Sequence, residues 1–147
     1  MAATRETVGV SIHRECQMLL YTNVGAHDLQ ASTKFYDAVL KPLGYVRLKE
    51  FATEIGYGPK GDRPRLWVLK PVNGLPASYG NGSMICFAAP SRKAVDEFHA
   101  AALDNGGYDE GKPGIRRVED GFPPNYYAAF VRDPTGNKLS ASCDRAE

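Results

Sequence analysis

The side chains able to do chemistry in this sequence are few and widely spread. Three cysteines, Cys16, Cys86 and Cys143, stand far apart without a Cys-x-x-Cys pair. Such spacing builds neither a zinc knuckle nor a disulfide framework, and it fits a reduced, intracellular setting. The histidines, His13, His27 and His99, are equally dispersed. Cys86 has no His, Lys or Arg placed beside it to lower its pKa, so the expected role is that of a small buried filler. Arg65 carries a planar fork that could clamp a carboxylate. The run Gly56-Tyr57-Gly58-Pro59-Lys60-Gly61-Asp62 has the glycines of a phosphate cradle. It lacks Gly-Lys-Ser/Thr and no helix follows, so a loop is expected there.

Those residues sit in a chain of 147 residues, enough for one core but not for two independent ones. Its 18 basic and 17 acidic residues are interspersed and leave a formal charge of +1. That balance argues against a nucleic-acid groove or a membrane-surface patch. No apolar run approaches the roughly 20 residues of a membrane helix. Arg5, Glu6, Arg14 and Glu15 stand where a signal peptide would need an apolar stretch. A cytoplasmic protein without nucleic-acid or membrane partners is expected.

The elements that must position the candidates come in two copies. Adding 63 to a residue number carries Ala26 to Ala89, Phe35 to Phe98, Leu40 to Leu103, Gly44 to Gly107, Tyr45 to Tyr108 and Val68 to Val131. One ungapped shift over most of the chain reads as a duplicated module sharing a single core. Residues 1–16 fall outside the repeat as an arm, in which Val8, Val10 and Ile12 permit an edge strand. The single domain is expected over 17–147, divided near residue 80. In the first module Gln17 to Val24 reads as a strand, and Asp28 caps a helix through Leu40, which Pro42 and Gly44 stop. Tyr45 to Ile55 and Arg65 to Leu69 are strand candidates, and Pro71 to Gly82 is the linker. In the second, Ser83 to Ala88 is a strand and Ser91 caps a helix through Asp104. Strands follow over Tyr126 to Arg132 and Lys138 to Cys143, joined by the turn Asp133-Pro134-Thr135-Gly136-Asn137.

Alternation assigns the faces. Ile85 and Phe87 turn toward the helix, which leaves Met84 and Cys86 on the opposite face, and the shift adds Tyr21 and Asn23 to them. Leu139 and Ala141 suit the helix side, Ser140 and Ser142 the other. Polar and aromatic groups on an uncovered face imply sheets that curl around a wet or ligand-filled cavity.

Four segments then carry a resemblance. They are Asp28-Leu29-x-x-Ser32-x-x-Phe35-Tyr36-x-x-Val39-Leu40-x-x-Leu43-Gly44, Phe87-Ala88-Ala89-Pro90-Ser91, Val95-Asp96-x-Phe98-His99-x-x-Ala102-Leu103-x-x-Gly106-Gly107, and Asn125-Tyr126-Tyr127-Ala128-Ala129-Phe130-Val131-x-Asp133-Pro134-x-Gly136-Asn137. Over residues 18 to 143 the chain resembles the vicinal oxygen chelate superfamily, which includes glyoxalase I, extradiol dioxygenases and the bleomycin and fosfomycin resistance proteins. The resemblance implies an α+β fold of two tandem βαβββ modules, a mixed sheet cupped around a cavity, and assembly as a homodimer. It also implies a metal held by the first and last strands of each module. Carried over, those positions are Tyr21, Met84, Ser140 and Ala77. Tyrosine must lose a proton to ligate, a thioether is soft, and serine and alanine offer a neutral hydroxyl or nothing. No metal and no cofactor is therefore expected, and the pocket would take a small-molecule ligand or substrate. Its expected lining is Tyr21, Asn23, Met84, Cys86 and Ser140, with Tyr57, Arg65, Trp67, Tyr126 and Tyr127 at the mouth. Two other readings stay open: a metal-dependent lyase or dioxygenase, and a dimeric interaction scaffold without catalysis.

Overall fold

The computed structural model describes residues 18–147. The N-terminal arm, with His13, Cys16 and the expected edge strand, lies outside the described residues; of the strand expected from Gln17 to Val24, residues 18–21 are not strand and β1 begins only at Thr22. The first module runs β1 (Thr22–Gly25), α1 (Leu29–Leu40), β2 (Tyr45–Glu50), β3 (Glu54–Pro59) and β4 (Leu66–Leu69). The second repeats it as β5 (Met84–Ala88), α2 (Arg92–Asp104), β6 (Tyr108–Ile115), β7 (Tyr127–Arg132) and β8 (Lys138–Cys143). Each module is a four-stranded mixed sheet, ordered β1-β4-β3-β2 and β5-β8-β7-β6, with β1 parallel to β4 and β5 parallel to β8.

Both helices start where their caps place them. Asp28 accepts from the Ala31 N–H at 3.0 Å and Ser91 from the Ala94 N–H at 3.1 Å, each satisfying a first-turn donor that the helix leaves open. Gly44 ends the first helical segment in the left-handed region at φ 84°. Phe35, Tyr36, Val39 and Leu40 of α1 and Ala94, Val95, Phe98 and Ala102 of α2 are buried in one core cluster with residues of both sheets. Full burial of a side chain such as Phe35 contributes about 2–3 kcal/mol. The helices also pack on each other, which joins the modules. At that junction Gly107 has no room for a side chain: a Cβ there would lie 2.6 Å from Phe35 Cε2.

The strongest polar tie between the modules is buried. Asp133, wholly inaccessible, accepts at Oδ1 from the backbone N–H groups of Thr135, Gly136 and Asn137, each at 2.9 Å. Its Oδ2 accepts from Asn137 Nδ2 at 2.8 Å and from the Tyr36 hydroxyl of α1 at 2.7 Å. Burial, and then the neighbouring Asp133 charge, push the Tyr36 hydroxyl well above its ordinary pKa, so Tyr36 stays a donor. Asn137 Nδ2 reaches on to the Gly25 carbonyl and the His27 N–H donates to Thr135 Oγ1. Asp133 is thus more than the turn residue its sequence context indicates.

Three sequence expectations need correction. The glycine-rich run expected as a loop supplies β3, the turn following only at Lys60–Asp62. Glycine is required there because a Cβ at Gly58 would meet the Arg63 carbonyl at 2.4 Å. Residue by residue the sequence places no strand between the second helix and Tyr126, although a βαβββ module requires one; β6 fills that place, despite Gly111, Pro113 and Gly114. As an edge strand interrupted by two register shifts it tolerates all three. Finally, the 63-residue offset holds only through β2 and β6. Cys86 pairs with Ser140 and Asn23 with Trp67, so Ser140 and Trp67 are the matching positions, 73 apart (140 minus 67). Residues 116–126 of the second module account for the change of offset, and Ala77 lies in the linker outside any strand.

Two measurements test this packing. Asp133→Ala leaves three backbone donors and the Tyr36 hydroxyl without their acceptor and is expected to cost about 3–5 kcal/mol in urea denaturation, against about 1–2 kcal/mol for Tyr36→Phe. A loss below about 1 kcal/mol for Asp133→Ala would contradict the assignment. Elsewhere, His99 Nε2 lies 2.9 Å from Asp109 Oδ1, and with the Gly111 N–H it holds the Asp109 carboxyl below its usual 3.8. A depressed folded value stabilises above the ordinary carboxylate range and is lost as pH falls through the folded value. Asp109→Asn should therefore make stability fall less steeply with acid below about pH 4 than in the wild type, and equal slopes would refute the contact.

Candidate functional site

β1 and β5 are the facing edges of their sheets, and clefts open along this seam. One, of about 410 Å³, lies among Tyr21, Tyr45, Arg65, Ile85, Cys86 and Phe87. Another, of about 400 Å³, lies among Asn23, Ser78, Tyr79, Ser83, Met84 and Lys138. Both fall within the size range of small-molecule sites.

The expected face of the second sheet is present. Phe87, Leu139, Ala141, Ala129 and Val131 enter the core, so Met84, Cys86, Ser140, Ser142 and Phe130 lie on the open side. There Cys86 Sγ is 3.2 Å from Ser142 Oγ and 3.7 Å from the Tyr126 hydroxyl, and Ser142 Oγ is 3.3 Å from Ser140 Oγ. Cys86 is exposed, so it is not the buried filler its sequence context indicates, whereas Cys143 is buried. Phe122 stacks on Tyr126 at 5.2 Å, and burial raises the Tyr126 hydroxyl above its ordinary pKa.

On the first sheet Asn23 and Trp67 pair on the open side, and Phe51 stacks on Trp67 at 6.4 Å. Tyr21 is 56% exposed at the cleft it lines. Arg65 lines the same cleft and donates to Asp62 Oδ2 through Nη2 at 2.7 Å and Nε at 3.1 Å. Of the expected lining, Tyr21, Asn23, Arg65, Met84 and Cys86 line these two clefts, whereas Trp67, Tyr126 and Ser140 line neither and two further mouth residues turn away from the open faces. Tyr57 is buried beneath α1, its hydroxyl bonded to Asp37 Oδ1 at 2.9 Å, and its pKa is raised by that burial and by Asp37. Tyr127 lies on the helix side, donating to Asp96 of α2 at 2.6 Å beneath the Arg92 guanidinium. The strand seen in place of the glycine loop turns Tyr57 inward, and strict alternation from Tyr126 turns Tyr127 to the helix. Lys138 and Phe130 were missed, although the alternation that places Ser140 and Ser142 on the open face places Lys138 there too.

Comparison with solved structures settles kinship. A glyoxalase/bleomycin resistance protein from Albidiferax ferrireducens T118 is 38% identical with a TM-score of 0.74, the match covering 86% of this chain and 98% of that one. The chain belongs to the glyoxalase/bleomycin resistance protein family. Its resemblance to the vicinal oxygen chelate superfamily and the α+β fold of two tandem modules are thereby established. Two more distant structures share the fold. A glyoxalase/bleomycin resistance protein/dioxygenase family enzyme from Burkholderia phytofirmans PsJN is 17% identical over 83% of this chain and 94% of its own, at TM-score 0.62. A lactoylglutathione lyase from Agrobacterium tumefaciens is 24% identical over 86% and 92%, at TM-score 0.57. No family model and no curated relative matches.

The metal that the glyoxalase/bleomycin resistance fold implies does not fit the residues here. Strand register replaces Ala77 by Trp67 as the counterpart of Ser140, so the positions at which the resemblance implies ligands become Tyr21, Trp67, Met84 and Ser140. An indole N–H only donates, and Ser140 is wholly buried. Among the described residues no three His, Cys, Asp or Glu side chains converge to hold an ion. Nor, among them, is any helix long and apolar enough to cross a membrane.

The thiols give a check on these placements. Cys86 should react rapidly with a disulfide reagent such as DTNB in the native protein, whereas Cys143 should wait for unfolding. Cys86→Ser should remove one fast-reacting equivalent; an unchanged fast count would place Cys86 elsewhere.

Proposed function

We propose that this glyoxalase/bleomycin-resistance-like protein binds a small organic molecule at the seam between its modules, without a metal at the family position. The observation that supports the reading is the donor set: Tyr21, Trp67, Met84 and Ser140 occupy the positions at which the family resemblance implies a metal, Trp67 and Ser140 being matched by the strand register. In their place one seam cleft offers aromatic surface from Tyr21, Tyr45 and Phe87 and the Cys86 thiol, which touches the Ser142 hydroxyl at 3.2 Å. Apolar surface supplies affinity and the few polar groups orient the ligand. The exposed Leu19, Leu20, Tyr21 and Met84 are surface that a second copy of the chain would cover, so a homodimer is part of the proposal.

A thermal-shift screen of small organic molecules, run with and without EDTA, tests this. A ligand at one hundred times its Kd adds about 2.7 kcal/mol and raises the midpoint by about 5–10 °C. Shifts that persist in EDTA are expected. Hits that all vanish in EDTA and return with Zn, Ni, Mn or Fe would support the metal-dependent lyase or dioxygenase instead, and a silent screen the non-catalytic scaffold.

A further inference from the structure

The cleft of about 400 Å³ between β1 and β5 has a charge pattern that its shape alone does not explain. Among the described residues lining it, Lys138 is the one that carries a charged side chain. The rest of its polar lining is neutral, including Asn23, Ser78 and Ser83, whose side chains make no hydrogen bond among the described residues. Strands β5, β7 and β8 contain no acidic residue. The Glu110 carboxylate feels the charge of Lys138 but is engaged by Arg132 Nε at 2.8 Å. Lys138 Nζ instead lies 5.7 Å from the centre of the Phe130 ring. The Arg116 guanidinium lies over the same ring at 5.0 Å, its Nη2 donating to the carbonyls of Lys112 and Ala128 at 2.7 and 2.8 Å. Neither cation forms an ion pair with an acidic side chain among the described residues.

We infer that this cleft takes a small organic carboxylate, with Lys138 as its counter-charge and Asn23, Ser78 and Ser83 as neutral partners. The inference rests on the reading of the seam as a small-molecule site and names the ligand class. A single ammonium matches a single negative charge, whereas a phosphate group is more often held by arginine forks, helix N-termini or backbone nests, none of which lines this cleft. Met84, Ile85 and Tyr79 supply the apolar wall against which the body of such a ligand would rest.

The test uses benzoate and its uncharged analogue benzamide, titrated into the full chain and followed by amide shifts in ¹H–¹⁵N spectra at two salt concentrations. Benzoate should move the signals of Asn23, Met84 and Lys138, bind about tenfold more tightly than benzamide, and weaken as salt rises. Lys138→Gln should cost about tenfold for benzoate and little for benzamide, while Lys138→Arg, which keeps the charge, should stay within about twofold of wild type. The same spectra report whether each variant is folded. Equal binding of the two probes at these residues would overturn the charge assignment and leave the small-molecule reading standing. An unaffected Lys138→Gln, or no benzoate shift at millimolar concentration, would overturn it as well, with the broader reading then judged by the EDTA screen.

Discussion

The carboxylate of Asp133 sets the geometry on which the rest of this molecule depends. A charge removed from water is tolerated only when hydrogen bonds replace its hydration, and here five donors do so. Three come from its own turn and fix the entry to β8; one comes from Tyr36 and fixes that turn against α1. Asn137 adds the end of β1 through the Gly25 carbonyl. The hairpin, the first helix and the first strand thus share one polar anchor, which holds β1 alongside β5. Since β8 carries Lys138, Ser140 and Ser142, the anchor also positions the open face.

Duplication supplied two equivalent frames, and the side chains then diverged. In the first sheet the open position opposite β1 is Trp67, against which Phe51 stacks. In the second the equivalent residue is Ser140, part of a chain of hydroxyl and thiol groups flanked by cations. The open face of the first sheet is thus aromatic, and that of the second polar and positive.

Much of this was legible in the sequence because the helices and inner strands obey local rules. Asp28 and Ser91 are strong caps, α1 and α2 have clear apolar stripes, and the alternation in β5 and β8 sorts Cys86 and Ser140 from Phe87 and Leu139. The failures have physical causes. Gly56 and Gly58 resembled a loop because close approach of Arg63, Pro64 and Trp67, which the sequence does not display, is what demands glycine in β3. Pro113 and two glycines hid β6, whose edge position is a property of the assembled sheet. The unmarked change from a 63- to a 73-residue offset sent the last-strand position to Ala77 instead of Trp67. Asp133 looked like a turn former because its partner Tyr36 lies 97 residues away.

The central claim, that the family's metal position is filled by groups unable to coordinate, is tested most directly by anomalous diffraction from crystals grown with Zn, Ni, Mn or Fe present. The account predicts no ion within coordinating distance of Tyr21, Trp67, Met84 and Ser140. An ion gripped there by several side chains would contradict it.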